Sequence, residues 1–324
     1  VQTAYAEGTV SGASFDDQVW GYPTEINVWQ LLYNKQVLEG AGVANAPETW
    51  DEFREAAAAV TEQGTPGLAL IEGWDSGVVH PWTSLLWSNG GEYVAEDASE
   101  ALFNSQEGID TLQLQLDMID DGSAIISTLE DADFLNGQAA MTFMPNFYGA
   151  DLRAGMQGGI ENVGVAPIPH AEGNEAIALQ YEWLWGVSQA SQQQEEAWRF
   201  LQWLNSPRTG DAAATSTPGG EVASPVADEA SSSPMGDFLT SGLNAIPGRT
   251  SDQQAHDEVV SDPFVGPFVE ALQTARTEPI ISGAQEIKTA LQKQVEAAWF
   301  DQKSAEEALN SAADEANRIL GERA

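Results

Sequence analysis

One stretch of the sequence, residues 19–53, decides the fold. It reads VWGYPTEINVWQLLYNKQVLEGAGVANAPETWDEF. From Val19 to Lys35 it is dense in β-branched, aromatic and leucine side chains, which strands favour. These apolar residues fall on both faces of the predicted strand, and such strands are usually buried between layers. The stretch therefore predicts a central strand of an α/β protein.

The same stretch ends in the start of a helix. Thr49 and Glu52 have the spacing of a capping box, in which each side chain bonds the backbone of the other residue. Trp50, Phe53 and Val60 then form one apolar stripe. We expect a helix from Thr49 onward, joined to the strand by a short acidic linker.

Further strands and helices alternate along the rest of the chain. The pattern predicts strands at residues 66–71, 139–144, 163–169 and 182–188, and helices at 193–207, 283–300 and from 304 onward. Residues 72–93 are rich in Gly and Trp and show no helical period, which favours a loop. Residues 206–262 also read as loops and short helices.

The charge excludes some partners. The 324 residues include 50 Asp and Glu against 12 Lys and Arg, a net charge of −38. No basic patch is present to neutralise nucleic acid phosphates or an anionic membrane surface. The mutual repulsion of the acids is screened by salt, which favours a halophilic environment. A cation-binding function is the rival interpretation.

No motif for enzyme chemistry was found in the sequence. It lacks the dinucleotide, phosphate-loop and serine-hydrolase fingerprints, and it has no cysteine. The three histidines, His80, His170 and His256, are too widely spaced for a zinc site, and each is expected on a loop or the surface. We therefore predict no cofactor, no metal site and no catalytic residues.

Several phrases of the sequence resemble one known family. They are Gly21-Tyr22-Pro23, Tyr33-Asn34-Lys35, the helix start at residues 49–53, and Phe134-Leu-Asn-Gly137-Gln-Ala-Ala-Met141. In this order they resemble the extracellular solute-binding proteins of ABC importers, the branch that includes maltose- and other sugar-binding proteins. The resemblance implies an α/β, two-lobe periplasmic-binding-protein-like fold (type II). Family members carry a longer segment before the first phrase, so the first lobe is expected to be incomplete.

The resemblance also implies a division into lobes and a role. The first lobe would comprise 1–24 and 190–254, the second 27–187 and 255–324, with hinge crossings near 23–27 and 186–190. The chain would capture a sugar or oligosaccharide between the lobes and deliver it to the permease subunits. It would be an extracellular, monomeric lipoprotein, anchored to the cell surface through a segment outside this chain.

Candidate ligand-binding residues come from the resemblance and from the aromatic content. Sugars present apolar C–H faces ringed by hydroxyls, which suit aromatic walls with a few polar groups. Trp29, Trp74 and Trp82 could serve this purpose or belong to the core. The resemblance adds the polar residue Asn27. It also adds Asn146, Phe147 and Tyr148, which follow a strand, and Glu182 and Trp183 at the cleft edge.

Two alternatives remain at this stage. A secreted carbohydrate-active hydrolase or lyase would need a pair of essential carboxylates. The same fold could instead bind a glycerol phosphate, a polyamine or a metal chelate. A phosphate ligand would favour arginine in the site, and Arg153 is the only arginine near the predicted residues.

The charge yields a first testable prediction. The thermal unfolding midpoint, followed by circular dichroism, should rise when KCl is added, because salt screens the repulsion among the 50 acids. Most of the rise should occur below about 1 M, where the screening length falls from about 10 Å to about 3 Å. A rise that only begins above that concentration would indicate salting-out and contradict the prediction.

Overall fold

The computed structural model describes residues 4–5, 7–15, 18–130, 132–207, 231–243 and 245–323. The part of the predicted loop region at 208–230 lies outside these residues. In the described residues the strands are β1 Ser14–Phe15, β2 Gln18–Val19, β3 Tyr22–Asn34, β4 Leu68–Glu72, β5 Ala124–Thr128, β6 Met141–Pro145, β7 Val163–Ala166, β8 Leu179–Trp185, β9 Ile246–Pro247 and β10 Arg276–Thr277.

The helices alternate with these strands. They are α1 Glu7–Gly12, α2 Lys35–Gly40, α3 Trp50–Thr61, α4 Asp75–Trp87, α5 Gln106–Asp120, α6 Gly149–Gly155, α7 Gln194–Leu204, α8 Pro234–Asp237, α9 Thr250–Ala255, α10 Asp257–Val260, α11 Gly266–Ala271, α12 Ala284–Trp299 and α13 Ala305–Arg323. Single 3₁₀ turns cover Asn146–Tyr148 and Ile160–Asn162. The fold is therefore mixed α/β, as predicted.

The described residues divide into two compact units. Unit 1 comprises Val1–Asn27 and Tyr181–Val269, and unit 2 comprises Val28–Gln180 and Glu270–Ala324. The predicted lobe boundaries stay a prediction, and they differ from this division in two places. Residues 255–269 belong to unit 1, although they were expected in the second lobe. The chain leaves unit 2 within β8, before the predicted crossing near 186–190.

Strand β3 contributes to both units. In unit 1, Glu25 and Ile26 pair with β9. In unit 2, the strand lies between β6 and β7, so that Leu31 pairs with Phe143 on one side and Ala166 on the other. Strand β4 continues this sheet, parallel to both β5 and β6. The predicted burial of the strand is confirmed, because Val28, Leu31 and Leu32 are fully buried.

The capping box at the start of α3 is confirmed. The backbone N–H of Glu52 donates to the Thr49 hydroxyl oxygen, and the Glu52 carboxylate accepts the N–H of Thr49. The predicted linker before it contains helix α2, because the Asn34 side chain accepts the N–H groups of Gln36 and Val37 and so starts that helix. Ser304 and Glu307 form a second capping box at the start of α13.

Residues 72–93 do not form the predicted loop, since they contain helix α4. All its residues from Gly77 to Trp87 are buried. A helix surrounded by core has apolar side chains on every face and therefore lacks the one-sided stripe that reveals a surface helix. The prediction was wrong for this reason.

Unit 1 exposes large aromatic side chains on helix α7 and strand β8. Trp198 and Trp203 of α7 are 41% and 55% exposed, although a tryptophan on a helix is expected to pack in the core or against another helix. Phe200 stacks on Trp203 with 5.9 Å between ring centroids. On β8, Trp183 and Trp185 are exposed as well. The helix predicted at 193–207 is therefore present and buries Leu201, but its two tryptophans are exposed.

No helix in the described part of the chain is both long and apolar enough to cross a membrane.

The α3 cap gives a stability prediction. Thr49→Ala should lower the free energy of unfolding by about 1 kcal/mol, because one backbone N–H at the helix start loses its acceptor. Urea unfolding followed by circular dichroism measures the change. Thr274→Ala, at an exposed turn position, is the matched control and should stay within about 0.5 kcal/mol of wild type. Equal losses in the two variants would contradict the role of the cap.

Candidate ligand-binding site

Three of the predicted site residues form an aromatic cluster in unit 2. The rings of Trp29 and Trp74 lie 5.5 Å apart between centroids, tilted by 38°. Phe147 approaches Trp74 edge-on, with centroids 6.3 Å apart. Trp29 is fully buried, whereas Trp74 and Phe147 are partly exposed. We call Trp29, Trp74 and Phe147 the aromatic cluster.

Strand pairing explains how Trp29 and Phe147 come together. Trp29 pairs with Pro145, the last residue of β6, and the 3₁₀ turn follows immediately. The side-chain oxygen of Asn146 accepts the backbone N–H of Val28 at 2.8 Å, which ties this turn to β3. Asn146 is itself buried. Asn146 therefore fixes the position of the turn that carries Phe147.

Glycines place the third ring. Trp74 occupies the N-cap position of α4. Gly73 before it has φ +74°, a conformation that other residues rarely adopt. A Cβ atom at Gly77 would lie 2.5 Å from the Trp74 ring, so only glycine lets the indole lie against the first turn of the helix.

The remaining predicted residues of unit 2 are buried. Tyr148 is 7% exposed, and burial, aided by the charge of Asp151, raises its pKa to about 12. Trp82 is completely buried in α4, where its ring packs edge-on against Phe103. These two side chains offer no exposed aromatic face, and we do not retain Trp82 among the candidates.

Three predicted residues belong to unit 1. Asn27 is fully buried. The Glu182 carboxylate lies against Gly12, where a side chain would collide with it. Trp183 is 59% exposed, and its carbonyl accepts the Thr24 hydroxyl. Their predicted role in ligand binding stays a prediction.

A buried charged group next to the aromatic cluster was missed by the sequence analysis. His80, expected at the surface, is 1% exposed, and its ring meets Trp29 edge-on with centroids 5.6 Å apart. Its Nε2 lies 3.1 Å from Glu278 Oε1 and 3.2 Å from Lys288 Nζ. Glu278 Oε1 and Lys288 Nζ are 2.6 Å apart. No pattern in the sequence connects residues this far apart.

Burial and pairing set the charges of this group. Burial lowers the pKa of His80 and favours its neutral form. Burial alone would raise the pKa of Glu278, but its hydrogen bonds with His80 and Lys288 and the charge of Lys288 outweigh burial and lower that pKa to about 2. Glu278 therefore stays ionised below the usual titration range of a glutamate.

Comparison with known proteins agrees with this architecture. Residues 2–211 match the sequence profile of the bacterial extracellular solute-binding proteins. This chain belongs to that family. Within the described residues, no group of three or more His, Cys, Asp or Glu side chains could hold a metal ion.

Solved structures of similar fold come from sugar receptors. The cyclic alpha-maltosyl-1,6-maltose binding protein from Arthrobacter globiformis has a TM-score of 0.77 and 22% identity, over 99% of this chain and 77% of that protein. The GacH receptor of Streptomyces glaucescens, solved unliganded and with acarbose, has a TM-score of 0.80 and 21% identity, over 98% and 76%. The fold of this family member is thus the two-lobe fold of periplasmic binding proteins.

Curated relatives are more varied. A "probable amino-acid ABC transporter periplasmic-binding protein" of Sinorhizobium fredii is 29% identical over 59% of this chain and 45% of its own length. An arabinooligosaccharide-binding protein of Halalkalibacterium halodurans is 29% identical over 32% of this chain and 23% of its own. The chain spans about half the length, or less, of these curated relatives.

The burial of Trp82 gives a prediction that separates core from surface tryptophans. Trp82→Ala should lower the free energy of unfolding by about 3–5 kcal/mol, because it leaves a large cavity against Phe103. Trp183→Ala, which removes an exposed ring, should change it by less than about 1 kcal/mol. Denaturant titrations measure both. A Trp82 variant as stable as the Trp183 variant would contradict this assignment.

Proposed function

We propose that this chain is the substrate-binding component of an ABC importer and binds a sugar or oligosaccharide on the aromatic cluster. The observation that carries the proposal is the pair of partly exposed rings, Trp74 and Phe147, packed with the buried Trp29. In this proposal the protein works outside the cell as a monomer, attached to the surface, and passes its ligand to a permease.

The chemistry of the cluster suits a sugar. The C–H face of a pyranose or furanose is apolar and flat enough to lie on an aromatic ring, while its hydroxyls need polar partners at the edge. Trp74 and Phe147 meet at 61°, so they offer two differently oriented surfaces rather than one plane. A micromolar dissociation constant would correspond to about −8 kcal/mol.

The state of the nearby carboxylate supports binding rather than hydrolysis. A glycosidase needs a carboxylic acid whose pKa is raised so that it can protonate the leaving group. Glu278, the carboxylate of the buried group next to the cluster, has the opposite shift, with a pKa of about 2. The rival proposal of a carbohydrate-active enzyme would therefore need a proton donor elsewhere.

An amino acid is the second candidate ligand. The Sinorhizobium relative, described as a probable amino-acid transporter component, favours it. An amino acid carries an ammonium and a carboxylate, which need separate charged partners. Glu278 and Lys288 already pair with each other at 2.6 Å, so they do not offer two free charges. Glycerol phosphates and polyamines are weaker candidates, because no contact among the described residues favours them.

The test is a thermal-shift screen in 1 M KCl against maltose, arabinooligosaccharides, amino acids, polyamines and glycerol phosphate. A ligand that binds only the native state raises the unfolding temperature. We expect a sugar to do so and to be recovered unchanged by mass spectrometry. Product formation would favour an enzyme, and a shift with only an amino acid would overturn the sugar assignment.

A matched pair of variants tests the site itself. Trp74→Ala should weaken binding of the sugar found in the screen by about tenfold or more, because it removes one stacking surface. Trp203→Ala removes a more exposed tryptophan ring, on helix α7, and should leave the affinity unchanged. Isothermal titration calorimetry measures both. Equal affinities of the Trp74 variant and wild type would place the ligand elsewhere.

A further inference from the structure

Three side chains next to the aromatic cluster form a compact charged group inside unit 2. We call His80, Glu278 and Lys288 the His80 group. All three pairwise distances between His80 Nε2, Glu278 Oε1 and Lys288 Nζ lie between 2.6 and 3.2 Å. His80 and Lys288 are buried. Burying this many charged atoms is unfavourable unless they are held in good geometry, so their arrangement is tightly determined.

The nitrogen Nε2 of His80 faces two partners with opposite demands. The Glu278 carboxylate accepts a hydrogen bond, so it favours a proton on Nε2. The Lys288 ammonium only donates, so it favours a bare Nε2. A change of proton on this nitrogen therefore alters which partner the imidazole bonds. The His80 ring also lies edge-on against Trp29, so the group is in direct contact with that indole.

The group also connects the cluster to other elements of unit 2. Lys288 lies on α12, and the same helix holds the start of α4 through two more contacts. Gln285 donates to the Asp75 carboxylate, and Glu296 accepts the backbone N–H of Gly73 at 2.8 Å. The backbone N–H of Glu278 donates to the carbonyl of Gln180 in β8. Thus α12 fixes both the residues that flank Trp74 and the His80 ring.

We propose that Glu278 and Lys288 are positioning residues, which hold His80 against Trp29 and thereby set the geometry of the Trp29–Trp74 pair. The proposal rests on the proposed function in that it makes this pair the base of the ligand-binding surface. Neither residue is assigned a contact with ligand. Their effect passes through the His80 ring, which lies at 83° to the Trp29 ring.

The Trp29–Trp74 pair has a spectroscopic signature of its own. Two indoles 5.5 Å apart couple electronically and give an exciton couplet in the far-ultraviolet circular dichroism. Its amplitude depends on their distance and angle, so it reports the geometry that the His80 group is proposed to set. Trp29→Phe and Trp74→Phe should each abolish it. The measurement needs no ligand.

The pH dependence of the couplet distinguishes positioning from general stability. The charged groups that act on His80 are Glu278, Lys288 and Asp75. Burial lowers the pKa of His80, Glu278 raises it and Lys288 lowers it further. The wild-type couplet should therefore stay constant as the pH falls to the ordinary histidine range, and change only below it.

The two partners predict opposite shifts of that pH midpoint. Glu278→Gln removes the negative charge that favours the protonated ring and should lower the midpoint, while Lys288→Met removes a repelling cation and should raise it. We expect about one pH unit or more in each direction. Lys288→Arg keeps the positive charge and should therefore have the same pH midpoint as wild type.

Controls keep the outcome decisive. Asp117→Asn breaks an exposed ion pair with Arg54 and should leave the couplet unchanged. The helical part of the spectrum shows whether each variant folds. If Lys288→Met does not fold, Glu278→Gln and Lys288→Arg are enough to test the proposal. The proposal is overturned if folded Glu278→Gln keeps both the wild-type amplitude and midpoint, or if both midpoints shift the same way. A normal couplet response without any sugar binding would instead contradict only the proposed function.

Discussion

The burial of strand β3 on both faces is the constraint on which unit 2 and its candidate site depend. Val28, Trp29 and Leu31 are fully buried, so the strand requires a neighbour on each edge and a layer on each face. Pairing with β6 meets part of this requirement. It also fixes where β6 ends, opposite Trp29, and hence where the turn carrying Phe147 begins. The aromatic cluster is therefore a consequence of strand register.

The sequence predicted elements whose signals are local. The β3 pattern and the Thr49–Glu52 cap need only neighbouring residues to be recognised, and both are present. Helix α4 was missed because its apolar residues surround it, which removes the period. His80 was misplaced for a different reason: Lys288, 208 positions along the chain, is one of the partners that make its burial tolerable. Such pairings are properties of the fold.

The candidate site shows the same division between local and distant information. Trp29, Trp74 and Phe147 lie together. The sequence provided no reason to prefer Trp74 over Trp82 as a site residue. Only the structure of α4 shows that Trp74 is at the helix cap and Trp82 is in the core. On α7 the sequence predicts the helix, but Trp198 and Trp203 on it are exposed rather than buried. A helical pattern does not show which of its side chains another element covers.

The acidity of the chain constrains which interactions can give ligand selectivity. A charge of −38 attracts cations and repels anions at long range in dilute buffer. In molar salt the screening length is about 3 Å, so that field largely vanishes beyond direct contact. Buried pairs such as Glu278–Lys288 and apolar ring contacts are much less sensitive to salt. Selectivity under those conditions must come from direct contacts. An uncharged ligand stacked on aromatic rings is recognised by such contacts alone.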